Sequence, residues 1–122
     1  MTKIKTNMNT KHHVSQTIAK QLAEAGIVIE SEYGWVGFIN DNGGEYFEVK
    51  HERDSYPPRY PAPIATEILE RLPENVTIIS HINDGRLIGG NMAVHGDVRV
   101  LNNSLPDALA LLLIRLTKDG LI

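Results

Sequence analysis

The feature that most constrains the fold is an unbroken apolar run at residues 108–114, Ala-Leu-Ala-Leu-Leu-Leu-Ile, with Leu116 just after it. Ser104 precedes the run with Asp107 three residues on, a weak form of the capping box, and Gly120 follows as a stop, so the pattern predicts a helix. The run is far too short to span a bilayer. A helix that covers one face of a sheet needs only an apolar stripe. We therefore expect this helix to be buried on two sides.

Two arrangements would bury the helix on two sides, and the sequence leaves both open. The second side can pack on the same helix of another copy, which predicts a homodimer or a higher assembly through residues 104–119. Alternatively, the helix lies centrally within one chain, between a sheet and the other helices.

Length and composition narrow the class of protein. A chain of 122 residues fits one domain, and the absence of cysteine excludes disulfide scaffolds, thiolate zinc sites and cysteine nucleophiles. A net charge of −3 argues against binding of long nucleic acids, which depends on many basic residues. The polar start is not a signal peptide, so we expect a cytoplasmic protein without membrane contact.

The rest of the chain alternates helical and strand patterns. We predict a polar, flexible arm over residues 1–11 and a single α+β domain over residues 12–122. The asparagine- and glycine-rich turn at 40–44 predicts a β-hairpin over 32–50. The full prediction is an antiparallel sheet of about four to five strands with three helices, in the order α-β-β-α-β-β(-β)-α: a helix over 12–25, the hairpin, a helix over 63–72, a strand over 75–82, one or two strands over 86–101 and the helix over 104–119.

Three segments carry a resemblance. The opening SQTIAKQLAEAGIVIESEYGWV, the middle YPAPIATEILERLPENVTI and the closing SLPDALALLLIRLTKDGLI resemble segments of a group of small proteins encoded by bacteriophages and prophages. The likeness covers residues 15–39, 56–78 and 104–122, and the stretch 80–103 has no counterpart. It implies an α+β fold and a phage context, hence the cytoplasm of a bacterial host. It implies no catalytic residue.

No pattern of catalytic or metal-binding residues is present. The five histidines show no HExxH motif and no i, i+4 pair, so no metal site and no cofactor is predicted. Asn83 and Asp97 stand where paired-histidine phosphoesterases need hydroxyl residues, which argues against that chemistry. No GxSxG, P-loop or GxGxxG motif occurs. We interpret the histidines as surface residues beside turns, and we expect a binding protein rather than an enzyme.

The best candidate binding segment is the proline-stiffened loop at 51–60. Arginine suits phosphate through its bidentate fork, and tyrosine offers a stacking face for a base. The alternative is a surface loop whose arginines pair with Glu52 and Asp54. Together with polar residues of the second β region and of the last helix, the predicted ligand-binding set is Arg53, Tyr56, Arg59, Tyr60, Asn83, Arg86, Asn91, Arg99 and Arg115.

These observations favour one function and leave two alternatives. Phages encode many small proteins that act by binding, and an Arg/Tyr loop in an oligomer fits a counter-defence protein that sequesters a small nucleotide-type host immune signal. The first alternative is an inhibitor that binds and masks a host protein effector such as a nuclease. The second is an accessory enzyme that uses His81 or His95.

Overall fold

The computed structural model describes residues 12–80 and 91–122, and within them three helices and two small sheets follow the predicted α+β order. The bounds are α1 Gln16–Glu24, β1 Tyr33–Ile39, β2 Glu45–His51, a 3₁₀ helix Glu52–Asp54, β3 Tyr60–Pro61, α2 Ala65–Leu69, β4 Thr77–Ser80, β5 Asn91–His95, β6 Val98–Asn102 and α3 Leu105–Lys118. The polar arm predicted for residues 1–11 and the turn at 83–86 lie outside the described residues.

The strands form two antiparallel sheets of three strands, in the orders β2-β1-β3 and β4-β5-β6. The prediction of one sheet with four to five strands is wrong in this respect. The last bond from this segment to β1 runs from Ala62 N–H to Tyr33 O at 2.9 Å, and Pro63, which follows, has no N–H to continue the pairing. The chain then forms α2 before the second sheet begins, and this separates the sheets.

The predicted hairpin is confirmed and spans β1 and β2. Asn40 shapes its turn, because Oδ1 of that residue accepts the backbone N–H groups of Asn42 and Gly44 at 3.0 and 2.8 Å. In the turn these two N–H groups have no partner on the opposite strand, and the side-chain oxygen of Asn40 accepts both of them instead. The turn fixes the register in which Trp35 lies opposite Val49.

Helix α3 lies at the centre of the chain. It packs against β5 and β6 on one side and against α1 and α2 on the others, and the side chains of Leu109, Leu112 and Leu116 are fully buried. The predicted cap is confirmed, since Ser104 Oγ accepts the N–H of Asp107. One chain therefore covers the apolar run by itself. The packing argument for a homo-oligomer through residues 104–119 does not hold, and the central arrangement is the one observed.

The segment before α1 is an extended strap rather than helix. Ser15 caps α1, so the helix begins at Gln16 and not at His12 as predicted. The backbone of His13 forms an isolated bridge with Ile64, and Val14 N–H donates to Pro63 O at 3.1 Å. Trp35 Nε1–H donates to Val14 O at 2.9 Å. These bonds fix the strap between the first sheet and the start of α2.

Candidate functional site

The proline-rich loop folds back over the outer face of the first sheet. Tyr56 meets the Phe38 ring edge-on with centroids 5.5 Å apart, and the Lys50 ammonium lies 5.7 Å from the centroid of the Tyr56 ring. Pro58 packs so close to Gly34 that a β-carbon at that position would overlap the proline ring. Part of the Tyr56 ring therefore packs on the sheet, and 46% of the residue stays exposed.

Two further loop residues already have partners within the chain. Arg59 pairs with Glu45 at 3.3 Å, and its guanidinium lies 5.4 Å from the centroid of the Phe47 ring. Tyr60 lies opposite Trp35 in β3 and packs against the hydrophobic core. The sequence left open that the loop arginines pair with Glu52 and Asp54. Arg59 does pair with a carboxylate, but its partner is Glu45.

The other predicted ligand-binding residues do not gather beside the loop. Arg53 is exposed in the 3₁₀ helix. Arg115 pairs with Asp119 on its own helix at 3.1 Å, Arg99 is exposed on β6, and Asn91 Nδ2 donates to Asn103 O at 3.3 Å. Asn83 and Arg86 lie outside the described residues. The set is thus divided between the first sheet, the second sheet and α3.

A cleft of about 670 Å³ runs along the edge of β2 that no described strand pairs with. Five consecutive residues of that strand line it, and because alternate side chains point to opposite faces, such a run can share one cleft only along the strand edge. The remaining lining residues come from the strap, from β1, from the 3₁₀ helix and from the start of α2. We call this the β2 cleft, and its lining is residues 47–51 with His12, His13, Tyr33, Asp54 and Ile64.

Three rings lie in series along one wall of the β2 cleft. The ring centroids of His13 and Tyr33 are 4.6 Å apart, and those of Tyr33 and His51 are 5.0 Å apart with the planes perpendicular. The β1–β2 register places Tyr33 opposite His51, and the bridge to Ile64 places His13 on the other side. Residues from three separate segments thus form one aromatic wall.

His51 has a defined tautomer. Its Nδ1 accepts the N–H of Arg53 at 3.2 Å, so the neutral ring carries its proton on Nε2, which donates to Glu32 Oε1 at 3.3 Å. Both nitrogens are occupied. His51 is therefore a poor general base or metal ligand, and its contribution to the cleft is an aromatic edge.

His13 is buried, in contrast to the surface position that we predicted for the histidines, and only 7% of it is exposed. Its Nδ1–H donates to Ala62 O at 2.8 Å. Burial lowers the pKa of His13 below the usual 6.5, against the opposing effects of the Ala62 bond and of Glu67. The ring is neutral at neutral pH, so Nε2 keeps a lone pair. No described buried side-chain nitrogen or oxygen lacks a partner, so this atom reaches the solvent of the cleft.

The charges of the β2 cleft lie at its rim. Lys50 and Glu48 border it at the strand edge and pair with each other at 3.3 Å, but their side chains point to the outer face of the sheet, where the Lys50 ammonium lies over the Phe38 and Tyr56 rings. Asp54 adds a second carboxylate. A cleft with an aromatic wall, a neutral acceptor at His13 and charges only at its rim suits a planar ligand with donor groups and little charge. It does not suit a polyphosphate or a nucleic-acid strand.

Histidine and carboxylate positions in the described part of the chain bear on metal binding and on the enzyme hypothesis. No group of three or more histidine, aspartate or glutamate residues there is arranged to hold a metal ion. His95, one of the two histidines of the enzyme hypothesis, is half-buried at the end of β5, and His81 lies outside the described ranges.

Sequence reasoning identified the loop beside the cleft and missed the aromatic wall. The sequence predicts Tyr33 only as a strand residue, and it places His13 in the polar arm or in the first turn of a helix. The available signal was the alternation of Tyr33 and Trp35 on one face of β1, which places Tyr33 on the core side. Nothing local in the sequence brings His13 beside it, because the strap is fixed by Pro63, about 50 residues away.

No family model, curated protein or solved structure shows a significant match to this chain. Over residues 12–80 and 91–122, every helix is too short or too polar to cross a bilayer.

Proposed function

We propose that this chain is a binding protein for a small nucleotide-type ligand and that the β2 cleft is its binding site. The observation that carries the proposal is the series of three rings, His13, Tyr33 and His51, in one wall of a cleft of about 670 Å³. Cavities of this size enclose molecules of several hundred daltons. Aromatic and imidazole faces provide stacking area for a planar base.

The polar groups indicate which nucleotide-type ligands fit. His13 Nε2 can accept a hydrogen bond from an exocyclic amine or a ring N–H, and Lys50 can reach only a ligand group at the outer rim of the cleft. Glu48 and Asp54 oppose further negative charge. The favoured ligands are therefore nucleosides, mononucleotides and cyclic forms whose charge is low for their size.

The biological role that follows is sequestration rather than turnover. The resemblance of three segments to phage-encoded proteins implies the cytoplasm of a bacterial host, where a small immune signal is a ligand of the favoured class. Within the cleft, His51 is held by two hydrogen bonds and has no free nitrogen to act as a base. A protein that binds such a signal without converting it lowers its free concentration in proportion to the amount of protein made.

Calorimetry on the full chain tests this proposal. The probes are adenosine monophosphate, cyclic mononucleotides, cyclic dinucleotides and isomers of cyclic ADP-ribose. We expect at least one to bind with a measurable heat and Tyr33→Leu to weaken it at least tenfold. Tyr46→Leu is the matched control, because Tyr46 is exposed and does not line the cleft. Circular dichroism checks that each variant is folded. If no probe gives heat with the folded wild-type chain, the proposal is wrong.

A second candidate function, the masking of a host protein effector, is favoured by a different surface. Ile79, Met92 and Leu101 lie opposite one another across β4, β5 and β6. Their side chains are on the face opposite to Ala93, which is fully buried. Ile79 is 39% exposed and Leu101 is 66% exposed. An apolar row of this kind on a sheet face is typical of protein-binding surfaces.

An affinity capture from bacterial lysate tests the masking function. We expect wild-type chain to retain one protein in stoichiometric amount and Leu101→Lys to lose it, while Tyr33→Leu retains it. If Leu101→Lys still retains the lysate protein, the protein binds another surface of the chain.

A further inference from the structure

Strand β2 stands at one edge of the first sheet. In the order β2-β1-β3, one side of β2 pairs with β1, and none of the described strands pairs with the other side. The hairpin bonds Asn40 N–H to Gly44 O and Glu52 N–H to Glu32 O fix which residues bond inward. Because bonding alternates along an antiparallel strand, residues 46, 48 and 50 bond to β1. Residues 45, 47, 49 and 51 direct their N–H and C=O groups outward.

We propose that β2 of a second copy pairs antiparallel with this edge, centred on Val49. The two-fold axis then places Val49 opposite the partner's Val49 and Phe47 opposite the partner's His51. The two sheets join into one sheet of six strands. An open strand edge is a template for such pairing, and a symmetric antiparallel contact between identical strands closes after two copies.

Charge selects this register among those that the edge permits. Glu48 and Lys50 stand one residue on either side of Val49, so each Glu48 lies opposite the partner's Lys50, and the pair occurs twice. Sliding one strand by two residues puts Glu48 against the partner's Glu48. Sliding it by two residues the other way puts Lys50 against the partner's Lys50. Opposite charges across a strand pair stabilise it and like charges destabilise it, so the sequence of β2 is complementary to itself in one alignment.

The pairing bears on the β2 cleft, because the cleft opens along the same edge. Centred on Val49, the second copy brings the partner's Phe47 beside His51, on the face that carries the aromatic wall. This consequence rests on the proposed ligand-binding function, whereas the pairing itself does not.

Charge reversal measured by sedimentation velocity tests the pairing. We expect the wild-type chain to form a dimer whose population rises with concentration. Glu48→Lys and Lys50→Glu each create two like-charge pairs, so each variant alone should associate roughly tenfold more weakly or worse. An equimolar mixture of the two should recover the dimer, because one chain then presents two cations to two carboxylates of the other. The double variant with both changes should recover it as well.

The controls separate this interface from other surfaces. Glu24→Lys makes a matched charge change at an exposed position of α1, and Lys118→Glu makes one on α3. Both should associate as the wild-type chain does. A wild-type chain that remains single at millimolar concentration, single variants that dimerise normally, or a mixture no better than its components would each overturn the proposal.

Cross-linking gives a second measurement that does not depend on charge. The chain has no cysteine, so Val49→Cys introduces one thiol per copy, and the proposed axis brings the two to the Cα separation of about 5.5 Å that disulfides favour. Mild oxidation should produce a covalent dimer of Val49→Cys. Position 45 lies on the same strand but away from the two-fold axis, so Glu45→Cys should form little covalent dimer. Equal yields from both variants would contradict the register. Neither measurement requires the nucleotide-type ligand, so a dimer that binds no probe leaves the pairing intact and rejects only the ligand-binding function.

Discussion

The carboxylate of Asp107 accepts the backbone N–H of Ser15 at 2.7 Å, and this bond joins the starts of two helices that lie 92 positions apart in the sequence. Ser15 caps α1, and Asp107 stands in the first turn of α3. Only 8% of Asp107 is exposed, and burial raises the pKa of its carboxyl, although the bond from Ser15 opposes that shift. The contact fixes the central helix against the strap that carries His13.

Removing this acceptor should destabilise the fold. We expect Asp107→Ala to lower the free energy of unfolding by about 1–3 kcal/mol, because the N–H of Ser15 would stay buried without a partner. Asp107→Asn keeps an acceptor oxygen and avoids burial of a charge, so it should lose less. Urea unfolding followed by circular dichroism measures both. Equal losses in the two variants would show that the bond to Ser15 is not the cause.

The buried imidazole of His13 predicts a pH dependence of stability. Its pKa is lowered in the folded chain, so the unfolded chain takes up the proton first as pH falls. The free energy of unfolding should therefore be unaffected by this group above about pH 6.5 and fall as pH drops from there toward the folded pKa. His13→Asn keeps a donor for Ala62 O and cannot titrate. The difference between the two chains should narrow or change sign from pH 8 to pH 5, and a constant difference would contradict the assignment.

The close approach of Pro58 to Gly34 predicts a steric coupling between the loop and β1. Gly34→Ala should lower the free energy of unfolding by about 1–3 kcal/mol, because its methyl group has no room beneath the proline. Pro58→Gly removes the obstructing ring atoms. In the double variant the alanine should cost less than it does alone, and a double-mutant cycle on urea unfolding measures the coupling. If the effects of the two substitutions on the free energy of unfolding simply add, Pro58 does not restrict the space at position 34.

The central position of α3 predicts a large effect on stability within one chain. Leu112 is fully buried, so Leu112→Ala should cost about 2–5 kcal/mol. Leu111 is half-buried on the same helix, and Leu111→Ala should cost clearly less. Sedimentation of both folded variants should match that of the wild-type chain. A change in association without a change in stability would instead support an interface through residues 104–119.

The exposed ion pair of Arg115 and Asp119 predicts a small effect. Arg115→Ala should lower the free energy of unfolding by no more than about 0.5 kcal/mol, as expected for an exposed i, i+4 pair. It should also leave the affinity of any ligand of the β2 cleft unchanged, because Arg115 does not line that cleft. Calorimetry with the best nucleotide probe measures this affinity. A tenfold loss of affinity in Arg115→Ala would show that Arg115 belongs to the binding site.

The elements that could be predicted from the sequence are those with local signals. The turn at 40–44 defines the first hairpin, and Ser104 with Gly120 defines the ends of α3, because side-chain caps and a residue with φ of 71° act over a few positions. The division into two sheets was not predictable in this way. It depends on where the chain turns after Pro61, which no periodic pattern records.

The candidate site was only partly predictable for the same reason. The loop that borders the cleft has a composition that indicates binding, and Asp54 lies near its start. The aromatic wall combines a strap residue, His13, with a hairpin pair, Tyr33 and His51. Their proximity results from backbone bonds between segments far apart in the sequence, and the residue types alone carry no sign of it.

The bond from Trp35 to Val14 O gives the chain an optical probe of its own strap. Trp35 is the single tryptophan, and its indole N–H donates a hydrogen bond to the backbone carbonyl of Val14, the residue that follows His13. Any event that releases the strap exposes this indole to water and shifts its emission to longer wavelength. Intrinsic fluorescence therefore reports detachment of the strap without an added label.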